Sequence, residues 1–72
     1  MSRNSNMPAN FGKKLAYIRK MRNLSQMQLA EMINSSFNYI SHIECGRANT
    51  TMNMIILLAD ALDVDAKELF EF

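Results

Sequence analysis

Apolar residues along this chain recur at three- and four-residue intervals, the period of helices buried on one side. Phe11, Leu15 and Ile18 stand at i, i+4 and i+7, with Leu24 closing the run and Lys13, Lys14, Lys20 and Arg22 elsewhere around the turn. Leu29, Ala30 and Ile33 make a second stripe, and Ile40 and Ile43 a third. Ile55, Leu58, Ala59 and Leu62 make a fourth, and Leu69 with Phe70 supplies a last inward pair. No stretch alternates apolar and polar residues for long enough to make a strand. The pattern predicts a compact all-α domain of five short helices.

Polar residues at the ends of these runs set the boundaries. Ser25 followed by Gln28 reads as a capping box, in which each side chain satisfies the other residue's backbone amide. Asn34 stands where the chain needs a left-handed residue, a conformation asparagine tolerates. Ser36 is placed to cap the third helix and Gly46 to stop it, Thr51 to cap the fourth, and Asp65 with Glu68 to box the fifth. At the front, Pro8 suits a first helical position and Asn10 a cap, so both mark candidate starts. Residues 1–9 are expected to form a flexible arm and residues 10–72 a single domain.

Composition then narrows the function classes. The chain has 72 residues, 49% hydrophobic and 21% charged, without low-complexity runs or internal repeats. At ~0.05–0.15 kcal/mol per residue its stability would total roughly 4–11 kcal/mol, a margin that self-association would supplement. Cys45 alone cannot make a disulfide, and one Cys plus one His cannot hold structural zinc, so no metal or cofactor is expected. No apolar run reaches the ~18 residues of a membrane span, and the polar start "MSRNSNMPAN" lacks a signal-peptide core, which suggests a cytoplasmic protein without membrane contact. The net charge of +1 conceals an asymmetry. Arg3, Lys13, Lys14, Arg19, Lys20, Arg22 and Arg47 face only Glu31 and Glu44 in residues 1–50, whereas Lys67 alone faces Asp60, Asp63, Asp65, Glu68 and Glu71 in the remainder. A basic front half suits a domain that presents one face to a polyanion.

The second and third helices are separated by about three residues, with the left-handed residue at the turn, which is the layout of a helix-turn-helix. The stretch "SQMQLAEMINSSFNYISHIECGR" resembles the Cro/lambda-repressor-like (XRE-type) helix-turn-helix family. Matching positions are Ser25, Gln26, Leu29, Ala30, Ile33, Ser36, Ile40, Ser41, Ile43, Glu44, Gly46 and Arg47, and "LLADALDVDAKELF" is similar to the family's closing segment. Three residues depart from the pattern: Asn34 stands for a glycine, Ser35 for an apolar residue, and Cys45 at a position often polar or basic. A lone thiol there is expected to be buried or idle.

The resemblance implies a double-stranded DNA-binding regulator with its third helix in the major groove. Phe37, Asn38, Ser41 and His42 would then meet base edges, Asn38 pairing with adenine and Phe37 packing on a thymine methyl. Gln26, Ser36, Tyr39, Arg47, Asn49, Arg22 and Lys13 are the candidate backbone contacts. Arg19 and Glu44 occupy positions that form an ion pair between the first and third helices of the family. No enzyme is expected: Ser41 and His42 are helical neighbours that point apart, and no acid is placed to orient the imidazole.

The fourth helix, "MNMIILLADAL", is more apolar than one buried face requires. Met52, Met54, Ile56 and Leu57, with Phe72, are the expected homodimer interface, which would place the protein on a pseudo-palindromic operator. No small-molecule effector is expected. The alternative is a protein-interaction module, or an antitoxin-type partner-binding protein, on the same fold. Phage Cro-type repressors and restriction–modification controllers are the family members the chain resembles in its small size.

Overall fold

The computed structural model describes residues 6–72 and comprises α1 (Met7–Met21), α2 (Gln26–Met32), α3 (Phe37–Glu44), α4 (Met52–Leu62) and a 3-10 turn (Ala66–Phe70). The described residues are therefore all-helical, with four α-helices where five helices were expected. Five residues close too few i→i+4 bonds to hold an α-helix, so the segment tightens to the i→i+3 pattern, with Glu68 N donating to Asp65 O at 2.9 Å. The capping box expected at Asp65 is absent, since its side chain accepts no cap hydrogen bond.

α1 starts at Met7 with Pro8 in its first turn, three residues ahead of the expected boundary. Residues 7–9 of the expected arm are thus helical, and residues 1–5 lie outside the described residues. Asn10, the other candidate cap, lies inside α1 and caps nothing, whereas the caps expected at Ser25, Ser36 and Thr51 form. Ser25 Oγ accepts from Gln28 N at 3.0 Å while Gln28 Oε1 accepts from Ser25 N at 2.8 Å. Ser36 Oγ accepts from Tyr39 N and Thr51 Oγ1 from Met54 N, both at 3.1 Å.

All four α-helices end in the same way. Asn23, Asn34, Gly46 and Asp63 adopt positive φ of 58°, 55°, 75° and 58°. Each is followed by an amide that reaches back to the last turn: Leu24 N to Arg19 O, Ser35 N to Ala30 O, Arg47 N to His42 O, and Val64 N to Ala59 O, at 2.8–3.1 Å. These are Schellman closures, which satisfy helix-end carbonyls and reverse the chain within a few residues. Asn34 and Gly46 were readable as stops from their residue types; Asn23 and Asp63 perform the same task.

The core gathers one stripe from every element: Phe11, Leu15 and Ile18 with Leu29, Ala30, Ile33, Ile40, Ile43, Leu58, Ala59, Leu62 and Leu69. Leu24 and Ile55 are half-buried at its edge. Phe70, expected to pack inward, remains 39% exposed, its ring centroid 5.1 Å from that of Phe11 and tilted by 40° to it, because the 3-10 turn cannot bring two consecutive residues under one face. Gly12 lets α1 lie directly on the end of α3: a Cβ there would run into the carbonyl oxygens of Ile43 and Glu44, the latter at 2.7 Å. Among the described residues, no helix is long and apolar enough to cross a membrane.

Candidate nucleic-acid interface

α3 is held from below and open above. Ile40 and Ile43 are 0% and 1% exposed, so they fix which face of the helix turns inward. At ~100° per residue, the opposite side then carries Asn38, Ser41 and His42, with Phe37 on its flank. Asn38 and His42 are exposed, Ser41 is half-buried, and Phe37 keeps 47% of its surface in solvent. Ser36 is exposed too, its hydroxyl occupied as the cap. Tyr39 packs half-buried against the core.

The far end of α3 is locked by a buried polar cluster. Arg19 Nε donates to Glu44 Oε2 at 2.6 Å and Arg19 Nη2 to Glu44 Oε1 at 3.1 Å, a bidentate pair whose side chains are only 9% and 7% exposed. Arg19 Nη1 donates to the Leu24 carbonyl at 2.7 Å, joining the α1–α2 turn to the same guanidinium. Gln26 Nε2 donates to Glu44 Oε1 at 2.9 Å. One carboxylate thus ties α1, the start of α2 and the end of α3 together, and it fixes the pose of the exposed face. Among the described residues, no buried side-chain polar atom lacks a partner.

Gln26 keeps one amide hydrogen and its carbonyl oxygen beyond the bond to Glu44. Arg47 and Asn49 are exposed just past α3, where the Arg47 amide closes the helix on the His42 carbonyl. Arg22 and Lys13 sit differently. Arg22 Nη2 donates to the Asp63 carbonyl at the end of α4, 3.2 Å away. Lys13 borders a surface groove with Asn10, Lys14, Tyr17, Glu71 and Phe72. Neither setting involves α3. Cys45, expected to be buried or idle, is an exposed free thiol at the end of α3.

The α4 set also divides. Met52, Ile56 and Leu57 are 72%, 47% and 46% exposed, whereas Met54 is half-buried against the core. Phe72 is exposed in the groove along α1, which no α4 residue lines. At the far end of α4, Asp60, Asp63, Asp65 and Glu68 surround a shallow depression, so the acidic residues gather in space as well as in sequence. Gly12 and the sharing of Glu44 between Arg19 and Gln26 went unread in the sequence. An interior helical glycine, costly by ~1 kcal/mol, was the available signal for the first.

A model of the helix-turn-helix family (HTH_3) matches residues 15–69. The chain is 40% identical over 53 residues to the immunity repressor protein of Bacillus phage phi105, covering 74% of this chain and 37% of that protein's length. It is similar in structure to the restriction-modification controller protein C.AhdI from Aeromonas hydrophila, with TM-score 0.84 and 35% identity over 86% of this chain and 94% of that one. It is also similar to the hypothetical transcription factor NHTF from Neisseria, with TM-score 0.86 and 26% identity over 96% of this chain and 79% of that one.

Proposed function

The chain belongs to the helix-turn-helix family matched over residues 15–69, and from that membership we propose that it is a sequence-specific transcriptional regulator of duplex DNA. One observation carries the reading. α3 exposes Phe37 and Asn38 in its first turn and His42 in its second, while Ile40 and Ile43 pin its other face. A helix so presented fits the ~12 Å width of the major groove with its N-terminal residues nearest the base edges.

In this arrangement Asn38 pairs bidentately with adenine and Phe37 packs on a thymine methyl. Ser41 and His42 contact bases one turn on. Ser36, Tyr39, Gln26, Arg47 and Asn49 hold the flanking phosphates, and they set register without reading sequence. Lys13 and Arg22 add to the positive field of the front half rather than to the contact surface of α3. The exposed apolar part of α4 supports a homodimer, with two copies of α3 ~34 Å apart on a pseudo-palindromic operator. The phage relative is named for repression and the Aeromonas protein for control of a restriction–modification system; regulation carries over to this chain as part of the proposal.

Fluorescence anisotropy with a labelled duplex across a salt series tests the reading. Affinity is expected to fall linearly on a double-logarithmic plot, with a slope of about −0.9 for each phosphate neutralised. A folded protein that leaves the duplex unbound at low salt would overturn it and favour the protein-interaction alternative.

A further inference from the structure

The outward face of α4 carries a pattern that the homodimer reading does not require. Asn53, Ile56, Leu57 and Asp60 stand at i, i+3, i+4 and i+7, a single exposed stripe on one side of the helix. The two apolar residues sit at its centre and the two polar ones at its ends. Reversed end to end, such a stripe matches itself about a point between Ile56 and Leu57.

Charge selects the same orientation. α4 has no acidic residue in its first turn and no basic residue in its last. Its C-terminal end instead carries Asp60 and Asp63, with Asp65 and Glu68 around the same depression. Negative side chains at a helix C-terminus oppose the helix dipole, whereas at an N-terminus they are favourable. A second α4 laid antiparallel brings its own N-terminus, free of acid, beside that cluster. A parallel partner would stack the two acidic ends.

We propose that two copies of this chain associate through an antiparallel pair of α4 helices, with Asn53 of each copy donating to Asp60 of the other across a centre of Ile56 packed on Leu57. The contact is isologous: each residue of the stripe meets its counterpart once in each direction. Met52, exposed at the start of α4 beside Asn53, lies at the edge of the contact, while Met54 and Phe72 take no part. This inference rests on the homodimer reading and specifies its face and register.

Sedimentation equilibrium of the full chain tests it, with N53D, D60N and the N53D/D60N double variant. N53D sets two carboxylates opposite each other and is expected to weaken dimerisation by roughly tenfold or more. The same change puts an acid near an N-terminus, so the monomer's melt should hold or rise, which separates loss of the contact from loss of the fold. In the double variant the carboxylate and amide have exchanged ends, and affinity is expected to return to near that of wild type. An N53D dimer as tight as wild type, or a double variant no better than N53D, overturns the register and leaves the dimer standing. A wild-type chain that stays monomeric at tens of micromolar overturns both.

Discussion

Arg19→Ala should fail by unfolding, with loss of DNA binding only as a consequence. Arg19 is 8% exposed and supplies three of the hydrogen bonds around the α1–α3 junction: two to Glu44 and one to the Leu24 carbonyl. Truncating it leaves the Glu44 carboxylate, 7% exposed, with the neutral Gln26 amide as its remaining partner. It also leaves the Leu24 carbonyl without that donor. Breaking a buried pair by removing one partner costs about 3–5 kcal/mol. Against a total stability of roughly 4–11 kcal/mol for a chain of this length, that takes a large share of the folded margin. At ~4–8 °C per kcal/mol, the melting temperature should drop by at least ~12 °C. Circular dichroism melts and urea titrations read the effect. R19M/E44L, which replaces both charges with apolar groups of similar bulk, should recover much of the loss, because no buried charge then lacks a partner. An Arg19→Ala protein that melts like wild type would refute the argument, as would a double variant less stable than R19A alone.

Three further outcomes follow from the geometry. Gly12→Ala drives a methyl into the carbonyls of Ile43 and Glu44, which are backbone atoms and cannot swing aside; urea unfolding should show a loss of about 1–3 kcal/mol or more, although alanine is the better helix former. Asn34→Ala places an ordinary side chain at φ 55° and should cost about 1 kcal/mol in a thermal melt, whereas Asn34→Gly should melt at or above wild type. Asn38→Ala should cost about 1–3 kcal/mol of discrimination at one operator position, while Arg47→Ala should weaken all sequences alike and reduce the salt slope by about one, both measured by anisotropy on matched and mismatched duplexes.

Much of the fold was legible because its signals are local. The Ser25–Gln28 box, the caps at Ser36 and Thr51 and the left-handed Asn34 each depend on a few neighbouring residues, and all four form. The buried stripes likewise follow from period alone. What went unread depends on distant partners or on competition between weak preferences. Asp65 and Glu68 have the spacing of a capping box, but a five-residue segment is too short for the box to outweigh 3-10 closure. Gly12 matters only because the end of α3 crosses α1 there, a contact 31 residues away along the chain to Ile43. The hydrogen bond from Arg22 to the Asp63 carbonyl was unreadable for the same reason, since it depends on a chain reversal 41 residues away. On α3, the outward residues were readable from the period, because Ile40 and Ile43 settle which side is hidden. Residues outside that helix had no such constraint, and they scattered: Arg47 lies just past α3, while Lys13 borders the groove along α1.

The most direct test of the account is selection of bound duplexes from a random pool at physiological salt, followed by the same selection with Asn38→Ala. A two-fold symmetric motif is expected, with half-sites about one helical turn, ~10 base pairs, apart. In the variant, the preference for adenine at one position in each half-site should relax while the rest of the motif persists. A folded protein that enriches no motif, or a motif unchanged by Asn38→Ala, would contradict the assignment of α3 as the reading element.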